Sequence, residues 1–153
     1  MNIFVLDNNI KQCAEYHCDK HVVKMILESA QMLSTTVRLS GIDAGYKITH
    51  KNHPCNIWVR ESLSNWRWLK WLVEALNEEY KFRYGHNKNH KSYEVVMSLP
   101  EPNIPDKGLT QFRLAMPDDC KSDFAIESYR KYYQKHKQHL ASWTKRGKPG
   151  WYK

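Results

Sequence analysis

At 153 residues, with a formal net charge of +8 and an isoelectric point near 9.3, the chain has the size of one domain able to bury a core. Its charge suits a polyanionic partner better than a neutral metabolite, and 6 Trp and 9 Tyr suit both a small core and stacking on bases. No apolar run is long enough to span a bilayer and the opening MNIFVLDNN lacks the basic and apolar regions of a signal peptide, so membrane and export classes are set aside and the expected location is cytoplasmic. Cys13, Cys18, Cys55 and Cys120 follow no disulfide framework and read as free thiols.

Residues 2–6 (NIFVL) form a short extended apolar run, too short to seed a sheet and expected to lie across a helical body. From Cys13 to Arg38 no Gly or Pro interrupts the chain, and apolar residues occupy nearly every side, which predicts one long, largely buried helix. Steps of four and three from His17 reach His21, Lys24, Glu28, Gln31 and Thr35, a single polar line along that helix. Such a line is ordinarily a solvent face. Here it gathers two His, one Lys, one Glu and one Gln in place of repeating Lys and Glu, and this set exchanges protons near neutral pH. The line is a candidate active-site wall.

The turn GIDAG leads into a basic connector, residues 46–53, closed by Pro54. Across residues 56–84, Trp58, Leu63, Trp66, Leu69, Leu72, Val73, Leu76 and Tyr80 recur at helical spacing and predict a second helix, stopped by Gly85. Its cluster Trp66, Trp68 and Trp71 reads as core. A polar stretch and a short amphipathic piece at residues 93–99 precede residues 100–117, where Pro100, Pro102, Pro105 and Pro117 predict an irregular connector. Residues 123–145 predict a third helix, with Phe124, Ile126, Tyr129, Tyr133, His136, Leu140 and Trp143 inward. Arg130, Lys131, Lys135, Lys137 and Lys145 would form its basic, phosphate-facing side. The expected fold is all-α: a compact single domain over residues 1–153, of three main helices with a short extended N-terminal segment, a long Pro-rich connector and a basic aromatic tail.

Three chemistries fit the polar line. His17 and His21 lie one turn apart near Cys13 and Cys18, a spacing found in helical metal sites, but no Glu follows the first His and no distant ligand is identifiable, so a hydrogen-bonded His pair is the reading and no metal is assigned. Cys18 and His21 have the spacing of a nucleophile and its base, without further support. Base excision needs an amine to attack the sugar C1′, a carboxylate to stabilise the developing oxocarbenium charge, and basic phosphate contacts.

Four segments bear on that third chemistry. DKHVVKMILE carries Asp, a small polar residue, His, two apolar residues and a Glu seven positions beyond the His, at His21 and Glu28; HP opens a long aromatic helix that ends in RYGHN; a Pro-rich segment and a last helix follow; and the chain closes on PGWYK. In these features, over most of its length, it resembles the phage pyrimidine-dimer DNA glycosylases of the endonuclease V fold. The resemblance implies that Glu28 assists ring opening and Schiff-base chemistry, that His21 lies beside the sugar or phosphate with His17 and Gln31 as neighbours, and that Trp151 and Tyr152 pack near the displaced nucleotide. It further implies DNA as partner and no cofactor, and on that reading the basic face of the third helix supplies Arg130, Lys131 and Lys145 as strand contacts. The family's nucleophile is the α-amine of a processed N-terminal Thr. Asn2 is too large for routine methionine removal, which leaves the amine of Met1, or Lys24 beside Glu28, and two arginines of the family pattern correspond to Leu27 and Gln31 here.

The expected function is therefore a DNA N-glycosylase with AP-lyase activity on a damaged or modified base. Two alternatives use the same groove: a non-catalytic binder of nucleic acid or nucleotide, and an acid/base enzyme acting on a free nucleotide.

Overall fold

The computed structural model describes residues 1–153. It is all-helical: α1 (Ile10–Tyr16), α2 (Asp19–Leu39), α3 (Pro54–Glu61), α4 (Leu63–Tyr84), α5 (Lys91–Ser98) and α6 (Ala125–His136), with short 3-10 turns at Asp118–Cys120 and Gln138–Leu140. No helix is long and apolar enough to cross a membrane.

The first predicted helix is two. The chain is extended at His17 and Cys18, and the break is built from outside: the guanidinium of Arg83 donates to the carbonyls of Glu15 at 2.8 Å and His17 at 2.6 Å, satisfying the free end of α1. The Cys18 N–H donates to the Tyr133 hydroxyl, and Asp19 N–H to the Ser142 carbonyl. The second predicted helix also divides, at Ser62, whose backbone is extended. There the Pro-rich connector intrudes: Leu63 N–H donates to the Pro105 carbonyl, and the Ser62 hydroxyl accepts from Lys107 N–H. Tertiary hydrogen bonds decide both breaks, which is why an uninterrupted apolar pattern did not reveal them.

α2 and α4 pack together as the central pair, α1 lies against α4, α5 against α2, and α3 touches both. Between them Val22, Ile26, Ala30, Leu33, Val37, Trp66, Leu69, Leu72 and Leu76 are fully buried. Trp58 and Trp66 each contribute on the order of 3 kcal/mol by burial, and their indole N–H groups find the carbonyls of Thr110 and Leu33. Trp68 is buried with them, but Trp71 is 51% exposed and lies outside the core. Gly85 ends α4 in the left-handed conformation, as its position predicts.

The extended run Ile3 to Leu6 is buried and laid across the helices, with Phe4 stacked on His21 at 4.3 Å between ring centres. Residues 100–117 carry no helix. The third predicted helix is shorter than its pattern: α6 stops at His136, and Phe124 is 69% exposed rather than inward. Beyond it Trp143 is nonetheless buried, donating to the Tyr16 carbonyl. The basic tail folds against the body, because Arg146 pairs with Glu15 and Glu79 and Gln134 holds the Trp151 carbonyl.

Candidate active site at the amino terminus

Glu28 sits midway along α2, and its side chain is 12% exposed. Three nitrogens converge on its carboxylate: the α-amine of Met1 at 3.3 Å and the backbone N–H of Asn2 at 3.0 Å, both on Oε1, and Lys24 Nζ at 3.7 Å from Oε2. An amine and a carboxylate are thus within reach of one another.

The placement is rigid because Asn2 is a buried hub. Its amide N donates to the Ala115 carbonyl at 2.8 Å, and its Oδ1 accepts from its neighbour Ile3 N–H at 2.8 Å and from the Tyr129 hydroxyl at 3.2 Å, with the Cys55 thiol at 3.5 Å. One side chain therefore ties the N-terminus to the connector, to α6 and to α3. The Met1 side chain packs against the core as well.

His53 caps α3, its Nδ1 accepting from Cys55 N–H at 3.1 Å, which leaves Nε2 as the protonated nitrogen of the neutral ring. Burial, and then the nearby N-terminal charge and His50, pull its pKa down, opposed by Glu28. His53 and Asn2 were not singled out from the sequence; the His-Pro step marked only a helix start, and nothing local signals that a loop 50 residues away meets the amino terminus.

The polar line of the sequence is only partly one surface. Lys24 (67% exposed), Glu28 and the half-buried Gln31 lie along one edge of α2, and Thr35 continues it inward. His17 is off the helix altogether, fully buried at the α1/α2 break, with Nδ1 donating to the Cys13 carbonyl at 2.7 Å. His21 is buried, stacked on Phe4, with Nδ1 2.6 Å from the Tyr133 hydroxyl. Burial pushes the pKa of His17 down to about 4 and that of His21 to about 3, the latter helped by neighbouring positive groups. Both are neutral core histidines at physiological pH. This corrects the expectation of two histidines titrating near neutral pH on an open wall.

The basic set is likewise divided. Arg130 is turned inward, donating to the Leu6 carbonyl and pairing with Asp7 at 2.9 Å beneath the Trp151 ring. Lys145 donates to the Phe82 carbonyl. Both make contacts within the fold, and Arg130 also lines an open cleft together with Lys131, Trp151, Phe124, Ile126 and Gln134. Trp151 packs on Tyr16 and Tyr133, and Tyr152 on Trp143. Met1, Lys24 and Glu28 are thus brought together; the tail aromatics lie with the α1/α6 packing.

Metal-ligating side chains come close only at Asp119, Cys120 and His136, within 4.8 Å of one another. His136 Nε2 is already hydrogen-bonded to the Asp119 carboxylate there at 3.0 Å, and Lys135 lies 3.7 Å from the same carboxylate. The Cys13, His17, Cys18 and His21 set forms no such group, and all four cysteines are free and buried.

A family model for pyrimidine dimer DNA glycosylases matches residues 1–92, more than half of the chain. The chain belongs to the pyrimidine dimer DNA glycosylase family. The match takes in Met1, Lys24, Glu28, His53 and all of α1 to α4; the Pro-rich connector, α6 and the aromatic tail lie outside it. No curated protein and no solved structure matches the chain.

Proposed function

We propose that this member of the family is a DNA N-glycosylase with an attached lyase step, acting on a damaged or modified pyrimidine. The amine of Met1 is the nucleophile and Glu28 the carboxylate. The amine nitrogen bonds to C1′ as the bond from C1′ to the base breaks; the base departs with the electron pair and is protonated. Loss of the amine protons and opening of the sugar ring leave an imine, and removal of a C2′ proton then expels the 3′ phosphate. Glu28 stabilises the positive charge at C1′ and relays protons.

The observation that carries this reading is the 3.3 Å approach of the Met1 amine to Glu28 in a family of DNA glycosylases. Asn2 N lies 3.0 Å from the same oxygen, so a chain shortened by one residue would also present an amine beside the carboxylate. Lys24 is the weaker candidate: its amine is largely exposed and 3.7 Å away, whereas the Met1 amine is 3.3 Å from Glu28 and its side chain is buried. DNA carrying a cyclobutane pyrimidine dimer, incubated with the protein and borohydride, should give a covalent adduct whose mass maps to the N-terminal peptide. Absence of any adduct and of strand cleavage across a panel of modified bases sinks the reading.

A binder without turnover is favoured by one observation: Leu27, 39% exposed beside Glu28, presents an apolar side chain where a strand-gripping cation would serve an enzyme. Under that reading Glu28→Gln has no turnover to remove.

A further inference from the structure

Arginines in this protein are spoken for, with one exception. Of the seven in the sequence, Arg38, Arg67, Arg83, Arg113, Arg130 and Arg146 each meet a carboxylate. Arg60, in the last turn of α3, meets none, and its Nη1 is buried without any hydrogen-bond partner. Burial alone, with no offsetting charge, pulls its pKa below the usual guanidinium range. An uncompensated, partly desolvated cation costs free energy in the free protein. A ligand that supplies an anionic acceptor removes that cost.

Asn56 lies one turn earlier on the same face and is fully buried. Its amide nitrogen is fixed by the carbonyls of Thr49 at 2.9 Å and His50 at 3.1 Å, which leaves its Oδ1 turned away and unpartnered. A guanidinium has five N–H donors in a planar fork, so one edge can lean on Asn56 Oδ1 while the other grips a phosphate through two parallel bonds. Thr49 is in turn bonded to Thr35 of α2 at 3.2 Å, seven residues beyond Glu28, or about 10 Å along the helix. At the other end of the same α3 face stands His53, next to the amine. The connector adds His50, Lys51 and Asn52, all exposed. Asn56 and Thr49 thus link the α3 face that carries Arg60 to the helix α2 that carries Glu28.

We infer that Arg60, backed by Asn56, binds a backbone phosphate of the DNA strand whose target nucleotide enters the niche at Met1 and Glu28. This rests on the proposed function for its substrate. Arg60 is a positioning residue, remote from the reacting atoms.

The test is the salt dependence of binding to a duplex carrying a stable abasic-site analogue, read by fluorescence anisotropy for the wild type, Arg60→Gln and Arg60→Lys. Arg60→Gln should bind roughly tenfold more weakly at low salt, and its slope of log Kd against log salt should fall by about 0.9, the value for one lost phosphate contact. Arg60→Lys should keep most of the slope. The melting temperature of Arg60→Gln should be unchanged or higher, since an unpaired charge has been removed. An unchanged slope overturns the inference, and so does a lowered melting temperature with binding intact, which would mark Arg60 as structural. If Arg60→Gln weakens a 5′-mononucleotide as much as it changes the duplex, with no change in the duplex slope, the site serves a free nucleotide phosphate and the strand assignment fails. The two readings separate cleanly: a reduced slope with no borohydride adduct overturns the glycosylase and leaves Arg60 standing, whereas an adduct with an unchanged slope does the reverse.

Discussion

The backbone N–H of Asn2 donates to Oε1 of Glu28 at 3.0 Å, alongside the amine of Met1. Glu28 therefore holds the first two nitrogens of the chain while Asn2, through its side chain, is held by Ala115 and Tyr129. Placement of the amine comes from the fold and not from the free end itself, whose mobility would otherwise be high.

Replacing Glu28 by Gln should keep the side-chain volume and one hydrogen-bond acceptor while removing the charge. Single-turnover cleavage of lesion-bearing duplex is expected to drop by about a hundredfold to a thousandfold, with duplex affinity within about threefold of wild type. Retention of the cleavage rate would exclude Glu28 from the chemistry.

Identity of the nucleophile is decided by two variants read together. A permanent N-terminal extension of a few Gly and Ser residues removes the Met1 amine from Oε1, and borohydride trapping should vanish. Lys24→Ala should still trap, because Lys24 is on the exposed edge of the site. The opposite pattern would move the nucleophile to Lys24.

Acid should unfold this protein earlier than its carboxylates alone would require. His17 and His21 have pKa values depressed to about 4 and about 3, below the ordinary 6.5 of the unfolded chain. The unfolded state therefore binds more protons in between, so their contribution is fully present above about pH 6.5 and is lost as pH falls toward 4 and then 3. Each contributes a few kcal/mol at most. Melting temperature should fall steeply from pH 6.5 to pH 4, and His21→Phe should flatten that fall; an equal slope in the variant would contradict the assignment.

Arg83→Met should be among the most destabilising single changes. Arg83 is buried, pairs with Glu79 at 2.8 Å and Asp19 at 3.2 Å, and closes the end of α1. Its loss leaves Glu79 without its nearest buried cation and two carbonyls unpaired, at a cost of roughly 3–5 kcal/mol, visible as a shift of the denaturant midpoint in urea. A shift no larger than that of a surface substitution would show that Arg146 alone satisfies Glu79.

Much of this protein is written locally. Apolar spacing from Val22 to Val37 and from Trp58 to Leu76 specifies two helices that bury one another, Gly85 specifies where α4 stops, and four prolines keep residues 100–117 out of regular structure. Glu28 was legible too, as an acid on an otherwise buried helix in a pattern shared with a known family. These signals are legible because they depend on neighbours within a turn or two, where backbone geometry fixes which side chains share a face.

Tertiary structure alone decided the rest. A helical wheel puts His17 and His21 in line with Glu28, yet the break held by Arg83 removes one and the stacking of Phe4 buries the other, and both partners come from distant segments. Arg130 and Lys145 look like phosphate contacts by charge, yet each also has an acceptor within the fold, Asp7 and the Phe82 carbonyl, whereas Arg60 has none. Whether a charge is spent inside the fold or left for a ligand depends on which acceptors the chain brings to it. The sequence determined the helices and the carboxylate; only packing between segments far apart in the chain could bring an amine to that carboxylate and leave one arginine without a carboxylate partner.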